Sequence, residues 1–408
     1  MKTQPLPALR HVDITPVEHE GEAFVCLSDP LGYVEEQMVL SPAAFYVAAS
    51  MDGTASVEDI QQAFLAQFGG HVAVQQIMEV AEALDTAGLL LTPRFEAIRT
   101  AVLEAFREAP ARPAVCAGKS YPEDPAELRT FLDELFASDG KPAPPPAGDA
   151  DAAPMHCLIV PHIDFARGGQ VYADGYRAFR AAGRPDTVIV FGVAHCGVPT
   201  PFTLTRKAFE TPLGTLETDQ AMVDALAAAC DDDLFEHEFV HRGEHSIEFQ
   251  AVMLAYLYGS SVKIVPVLCS AFAEAEGTPN PAEMTSVNRF LDACHSVAAD
   301  GRVSVIAGAD LAHVGRRFGD DFEIDDAVVD AVARRDEEDL AHVVANAPDA
   351  FYASVMADAN ARRVCGLNCI YAALRTVDGG ATDAVLHAYD YAHDPMGGIV
   401  SFASISFG

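Results

Sequence analysis

The sequence is short of positive charge. Its 408 residues carry 26 lysines and arginines against 60 aspartates and glutamates, a formal net charge of −34. A field of that sign opposes phosphate backbones and anionic membrane surfaces, so nucleic acid is a poor partner and acidic substrates are disfavoured. Long apolar runs are missing as well. No stretch approaches the roughly 18 consecutive apolar residues of a membrane span, and no apolar segment follows Lys2 as in a secretory leader. A cytoplasmic protein without membrane contact is expected. Nine cysteines, an odd number, lie scattered without a paired framework, which suits reduced thiols. Cys365 and Cys369 have no second pair beside them, so a structural zinc site is not expected. H-E-x-x-H and G-x-S-x-G are absent, as are a phosphate loop and G-x-G-x-x-G in the C-terminal part. That argues against zinc proteases, serine hydrolases, NTPases and nicotinamide enzymes.

What is present suffices for folded domains, since half the residues are apolar. The patterns divide the chain into a small unit over 1–93, a helical connector over 94–112 and a large α/β unit over 113–408. Gly140 to Pro154, rich in proline and alanine, reads as an exposed, flexible segment. In the small unit, Ala23–Leu27 and Met38–Leu40 look like strands. Ser41-Pro42 opens a helix, Ser56 opens a second, a third spans Val74–Ala87, and Leu89–Leu91 reads as a closing strand. In the large unit, Leu158–Val160, Thr187–Phe191, Lys263–Leu268 and Val303–Ala307 are short Val/Ile-rich runs. Helical periods follow over Ala221–Ala229, Met284–Val297 and Ile324–Arg335. Near-continuous apolar strands imply a sheet covered on both faces, with ligands at the carboxyl ends of its strands.

Three of those strands lead into histidine. Val160 precedes Pro161-His162-Ile163-Asp164, Phe191 precedes Gly192-Val193-Ala194-His195, and Ala307 precedes Gly308-Ala309-Asp310-Leu311-Ala312-His313. One such histidine is ordinarily a loop residue; three in one topological position point to a shared cleft. A metal such as Fe(II) or Zn(II) takes imidazole nitrogens and an anionic ligand on one face. His162 and His195 supply the nitrogens. The third ligand is Asp310, Asp164 or a thiolate, with Cys365 the favoured thiol because it precedes a helix whose N-terminus favours negative charge. Glu244-His245 opens another helix and can bring an imidazole to the same cleft.

The ordered motifs resemble those of the Memo family, which includes AmmeMemoRadiSam system protein B. They are Gly118-Lys119-Ser120-Tyr121-Pro122, Pro161-His162 with Gly168-Gly169, Gly192 to His195, Glu210 to Gly214, Glu244 to Glu248, Asp310 to His313, and Cys365-Gly366. The resemblance implies a fold similar to class III extradiol dioxygenases. It places iron or copper at His162, His195 and Cys365, with zinc as a further choice, and sets Asp310, His313 and His245 in the catalytic pocket. Asp164, Glu244 and Cys196 join them as pocket residues. Ile163-Asp164-Phe165 and Val193-Ala194 depart from the family's usual PHAGY and GPSH, so an altered pocket mouth is expected. Leu40-Ser41-Pro42, Met51 to Ile60 and Ala87 to Leu90 resemble the winged helix of PqqD, which implies a peptide-recognition unit. The combined reading is a non-haem iron oxygenase acting on a peptide delivered by the N-terminal unit. Its rivals are a peptide- or metal-binding scaffold and a zinc-dependent hydrolase. A radical SAM partner is implied by the family name alone.

Overall fold

The computed structural model describes residues 4–19, 21–137, 140–149, 151–272, 280–299, 302–377 and 383–408. Ala150 of the proline-rich segment and residues 1–3 of the opening stretch lie outside them. The chain forms two compact units, Met1–Ala109 and Pro110–Gly408, each with its own core.

In the N-terminal unit, β1 (Asp13–His19), β2 (Glu22–Ser28) and β3 (Met38–Leu40) form an antiparallel sheet in that order. Four helices follow: α1 (Pro42–Ala49), α2 (Val57–Phe68), α3 (Val74–Thr86) and α4 (Pro93–Glu108). Ser41 caps α1 by accepting the Ala44 N–H, with Pro42 in the first turn. Ser56 and Asp59 form a reciprocal capping box on α2. Leu27, Met51, Ile60, Ile77, Leu84 and Leu89 fill the core. One strand was not anticipated and one expectation changes. Strand β1, polar and carrying Pro16 on a sheet edge, gives no apolar signal in sequence. Leu89–Leu91 is not a strand; it makes one isolated bridge, Leu9 with Leu90.

A buried ion pair ties this unit together. Arg10 Nη1 donates to Asp29 Oδ1 at 2.8 Å and Arg10 Nε to the Gly88 carbonyl at 2.8 Å. Burial alone would raise the Asp29 pKa, but Arg10 and the N–H groups of Val34 and Leu31 hold it below its ordinary 3.8. A carboxyl depressed in the folded state adds stability that is complete above the unfolded value and lost as pH falls through 3.8 and below. Unfolding midpoints of this unit should therefore drop with acidification in that window, and Asp29→Asn should flatten the dependence.

The second unit runs β4 (Ala111–Arg112), α5 (Pro125–Ala137), β5 (Cys157–Val160), α6 (Phe165–Ala181), β6 (Thr187–Val193), β7 (Phe202–Leu204), β8 (Ala208–Thr211), β9 (Gly214–Leu216) and α7 (Gln220–Ala229). It continues with α8 (Ser246–Tyr258), β10 (Lys263–Cys269), α9 (Thr285–Ala298), β11 (Val303–Gly308), β12 (His313–Val314), α10 (Asp326–Val344), α11 (Pro348–Met356), α12 (Leu367–Thr376), β13 (Ala384–Asp394) and β14 (Gly398–Phe407). The main sheet has the order β12-β14-β5-β11-β6-β10-β7, with β13 on β14. Strands β5, β11, β6 and β10 are parallel neighbours. Every residue of β5, β6 and β11 is buried, and because side chains alternate between faces, both faces of the sheet are covered. The expected α/β class, with a smaller N-terminal unit, is the one found. No helix among the described residues is long and apolar enough to cross a membrane.

The proline-rich segment is largely exposed, as expected, but it is anchored at several points. Pro145 is buried, Gly148 donates its N–H to the Arg180 carbonyl at 2.9 Å, and Arg177 Nη1 donates to Pro142 O at 3.2 Å. A side chain at Gly148 would meet the Ala181 and Ala182 carbonyls at 2.3 and 2.4 Å. The segment packs along the end of α6.

Candidate metal centre

Paired register brings the carboxyl ends of β5, β11 and β6 side by side, with Gly308 opposite Val160 and Ala307 opposite Phe191. His162, His195 and Asp310 each stand two residues beyond such an end. Helices α8 and α12 begin against the same edge because three positions lack side chains. A Cβ on Gly192 would meet Ser246 Oγ at 2.6 Å, one on Gly308 the Ser246 carbonyl at 2.8 Å, and one on Gly366 the Asp310 carbonyl at 2.5 Å. The Gly366 N–H instead donates to that carbonyl at 3.0 Å, which seats Cys365 beside the strand ends.

Ligand atoms of His162, His195 and Cys365 all lie within 4.8 Å of one another. His162 Nδ1 bonds the Gly308 carbonyl at 2.8 Å, which makes it the protonated nitrogen and leaves the Nε2 lone pair 3.4 Å from Cys365 Sγ. His195 Nδ1 is 3.0 Å from Glu244 Oε2, and the His195 N–H also donates to that oxygen at 3.1 Å. Each imidazole thus turns its outer nitrogen to an acceptor, as metal-bound histidines do. Ligand atoms about 2.0–2.3 Å from a common ion stand roughly 3.3–3.8 Å apart in a tetrahedral set. The His162–Cys365 separation fits that spacing.

The charges suit a cation. Burial pushes His162 down to about 3, so its ring is neutral. Burial also works against a proton on His195, yet the Glu244 carboxylate and the Cys365 thiol outweigh it and hold His195 well above its ordinary value. Glu244 is correspondingly well below the usual carboxylate range: burial opposes this, and His195 and His245 overcome it. Burial raises the Cys365 thiol to about 11, more than the neighbouring His195 offsets. A bound cation would take the place of the protons on Cys365 and His195.

The remaining pocket residues divide. His245 stacks on His195 at 4.8 Å between ring centroids and, with Glu244 and His195, forms a second ligand-type group. Asp310 Oδ1 accepts the N–H groups of His162 and Ile163 at 2.9 and 3.2 Å, and its other oxygen stands 3.6 Å from His162 Nε2. It positions the His162 backbone and belongs to neither ligand group. His313 also lies outside both groups; its ring meets Phe318 edge-on, and burial lowers its pKa against the pull of Asp310. Asp164 needs correction: it is the N-cap of α6, accepting the Arg167 N–H at 3.1 Å and pairing with Arg167 Nε at 2.7 Å. Cys196 is half-buried and likewise belongs to neither group.

Several contributors carried no sequence signal of their own. Ser270 Oγ and Asn368 Oδ1 are buried without a hydrogen-bond partner, beside the end of β10 and three residues after Cys365, and Asn368 Nδ2 donates to the Ser270 carbonyl at 2.7 Å. Glu248 anchors the start of α8, as described below. Replacing Glu244 by glutamine should weaken metal affinity by about 10–100-fold, because a ligand imidazole loses its carboxylate partner. Metal competition with a chelator reads this directly.

A model of the Memo-like protein family matches residues 112–406, the stretch that contains every residue of this centre. The chain belongs to the Memo-like family. A MEMO1 family protein of Aquifex aeolicus is 28% identical over 408 residues, covering 98% of this chain and 99% of the relative. That match therefore runs through the N-terminal unit too. A MEMO1 family protein of Thermus thermophilus is 28% identical over 77% of this chain and 88% of its own length. One from Methanopyrus kandleri is 34% identical over 49% of this chain and 68% of its own. An uncharacterized Escherichia coli K12 protein of known structure overlaps 62% of the chain at 13% identity and a TM-score of 0.39. The matched stretch begins at Arg112, whose buried side chain pairs with Glu248 of α8.

Proposed function

We propose that this Memo-like protein is a metal-dependent redox enzyme of the non-haem iron oxygenase type, with His162, His195 and Cys365 as ligands. The observation behind the reading is the convergence of those three atoms at sheet strand ends, each imidazole oriented by an acceptor on its far nitrogen. Iron held there would supply one-electron redox chemistry and coordination positions for substrate. His245 is held down to about 4 by burial, so it is neutral at pH 7, and its place beside His195 makes it one of two imidazoles that would relay protons. His313, lowered in the same direction, faces Asp310 and is the second. Thiolate ligation also suits zinc and copper, so metal identity separates the oxygenase from a hydrolase.

The substrate proposed is a neutral or basic peptide brought by the N-terminal unit. Two features support it: the net charge, and a cleft of about 530 Å³ in that unit lined by Leu6, Met78, Leu90 and Pro93, with Glu82 and the ion-paired Asp85 and Arg94 at its wall. The test is elemental analysis of protein purified without oxygen, together with oxygen uptake on long basic peptides. Iron with Cys365-dependent uptake supports the reading; zinc without uptake turns it towards a hydrolase, and no metal at all ends it. Removing residues 1–109 should leave metal content unchanged and abolish turnover of the long peptide. Undiminished turnover would dismiss peptide delivery.

A further inference from the structure

The opposite edge of the main sheet carries a second cluster. Arg180 lies in the last turn of α6, Arg184 in the link to β6, Tyr258 at the end of α8 ahead of β10, and Arg302 immediately before β11. All four stand at the amino ends of the parallel strands. A strand rises about 3.3 Å per residue, so seven-residue β6 separates this edge from His195 by roughly 20 Å. With Ala182 and the packed stretch at Ala147 and Gly148, they line a cavity of about 270 Å³.

Three guanidinium groups around one cavity oppose the trend of a chain with net charge −34. Among the described residues no carboxylate lies within ion-pair distance of Arg180 or Arg302, and Arg184 has only Asp186, 3.9 Å away and largely exposed. The plain alternative is that these arginines cap the carbonyls at the end of α6. Arg302 does part of that: its Nε and Nη2 donate to the Arg184 carbonyl at 3.0 and 2.6 Å, and its Nη1 to Ala152 O at 2.9 Å. Capping does not account for two other groups. Tyr258 is 9% exposed; the Arg180 guanidinium donates towards its hydroxyl oxygen, while the hydroxyl proton is buried with no acceptor, and Arg180 Nε is buried and unpartnered. Arg180 is also fixed in place, its Cζ 4.7 Å from the centroid of the Tyr258 ring. Buried polar groups are nearly always paired, so two orphaned donors beside uncompensated positive charge call for a ligand that only accepts.

We propose that Arg180, Arg184, Arg302 and Tyr258 form a binding site for a phosphate group, separate from the metal centre. Arginine forks match the oxygens of a tetrahedral oxyanion, and several donors from different directions suit it better than a planar carboxylate. The small cavity limits the ligand to inorganic phosphate or a small phosphate monoester.

The test titrates the full-length protein with inorganic phosphate, and separately with glycerol phosphate, by calorimetry at constant ionic strength held with chloride. Saturable binding of either at millimolar or lower concentration is expected, and the tighter of the two identifies the source. Arg180→Gln and Tyr258→Phe should each weaken binding about tenfold or more, the usual effect of losing a hydrogen bond to a charged group. Tyr258→Phe removes a single oxygen, so it decides the matter if Arg180→Gln fails to fold. Cys365→Ala should leave phosphate affinity unchanged. Absence of saturable binding, indifference to both variants, or loss of binding in Cys365→Ala would each overturn the proposal, the last by moving the phosphate to the metal centre.

Discussion

Cys365→Ala protein isolated without oxygen should retain little metal after dialysis against a chelator, with an affinity loss of ~100-fold or more. The scale follows from outer-sphere partners, whose removal already costs about 10–100-fold, while Cys365 contributes the charged ligand itself. With the thiol gone, His162 and His195 lose their anionic co-ligand; Glu244 groups with His195 and His245 but not with His162, and it is engaged by the His195 N–H and Nδ1. Asp310 cannot step in without releasing the N–H groups of His162 and Ile163. Cys369 provides the control. It lies in α12, the helix that follows Cys365, is fully buried, and interacts with Cys269, so Cys369→Ala should keep its metal. Equal metal content in wild type and Cys365→Ala would remove the thiol from the ligand set.

Glu248→Gln should destabilise the larger unit by roughly 3–5 kcal/mol, the cost of leaving one member of a buried ion pair unmatched. Both Glu248 and Arg112 are fully buried. Glu248 accepts from the Arg112 guanidinium, the Tyr121 hydroxyl and the N–H groups of Cys116 and Val115, the last two at 2.9 and 3.2 Å. Arg112 also donates to the carbonyls of His241 and Glu244. The network fastens residues 112–121 to the start of α8, next to the carboxylate that orients His195. At about 2–4 °C per kcal/mol for a large domain, the melting temperature should fall by ~10 °C. A paired apolar replacement, Arg112→Met with Glu248→Leu, should recover much of the loss, because the desolvation of both charges disappears together. Calorimetry on metal-depleted protein isolates this effect from ligand loss. A shift near zero for Glu248→Gln would mean that the neutral amide satisfies Arg112 equally well.

The strand ends were legible because Val/Ile runs stop abruptly at Gly or Pro and are followed at once by histidine. That pattern located His162 and His195, and Cys365 followed from a Cys-Gly pair at a helix start. Roles decided by distant partners were not legible. Glu248 sits three residues from His245 in sequence, but its meaning depends on Arg112, 136 residues away. Asp164 was misread for a different reason. Its place one residue before an apolar helix already marks an N-cap, and nearness to a candidate ligand obscured that simpler function. The wholly buried β14 escaped because Ser401, Ser404 and Ser406 interrupt its apolar pattern; Ser401 is bonded to Asp336 and Ser406 to His387. Composition gave the exposure of the proline-rich stretch but not its anchoring, which depends on one glycine fitting between backbone carbonyls at the end of α6.

His162 and Cys365 are 203 positions apart, yet their ligand atoms nearly touch. Contacts that close so much chain are slow to form, so this pair is expected late in folding. The unfolded chain offers no comparable arrangement, and an ion selective for the native state stabilises it by mass action. Metal occupancy would then report on whether folding has been completed, and newly made chains would remain more vulnerable to proteolysis until the strand ends have met α12.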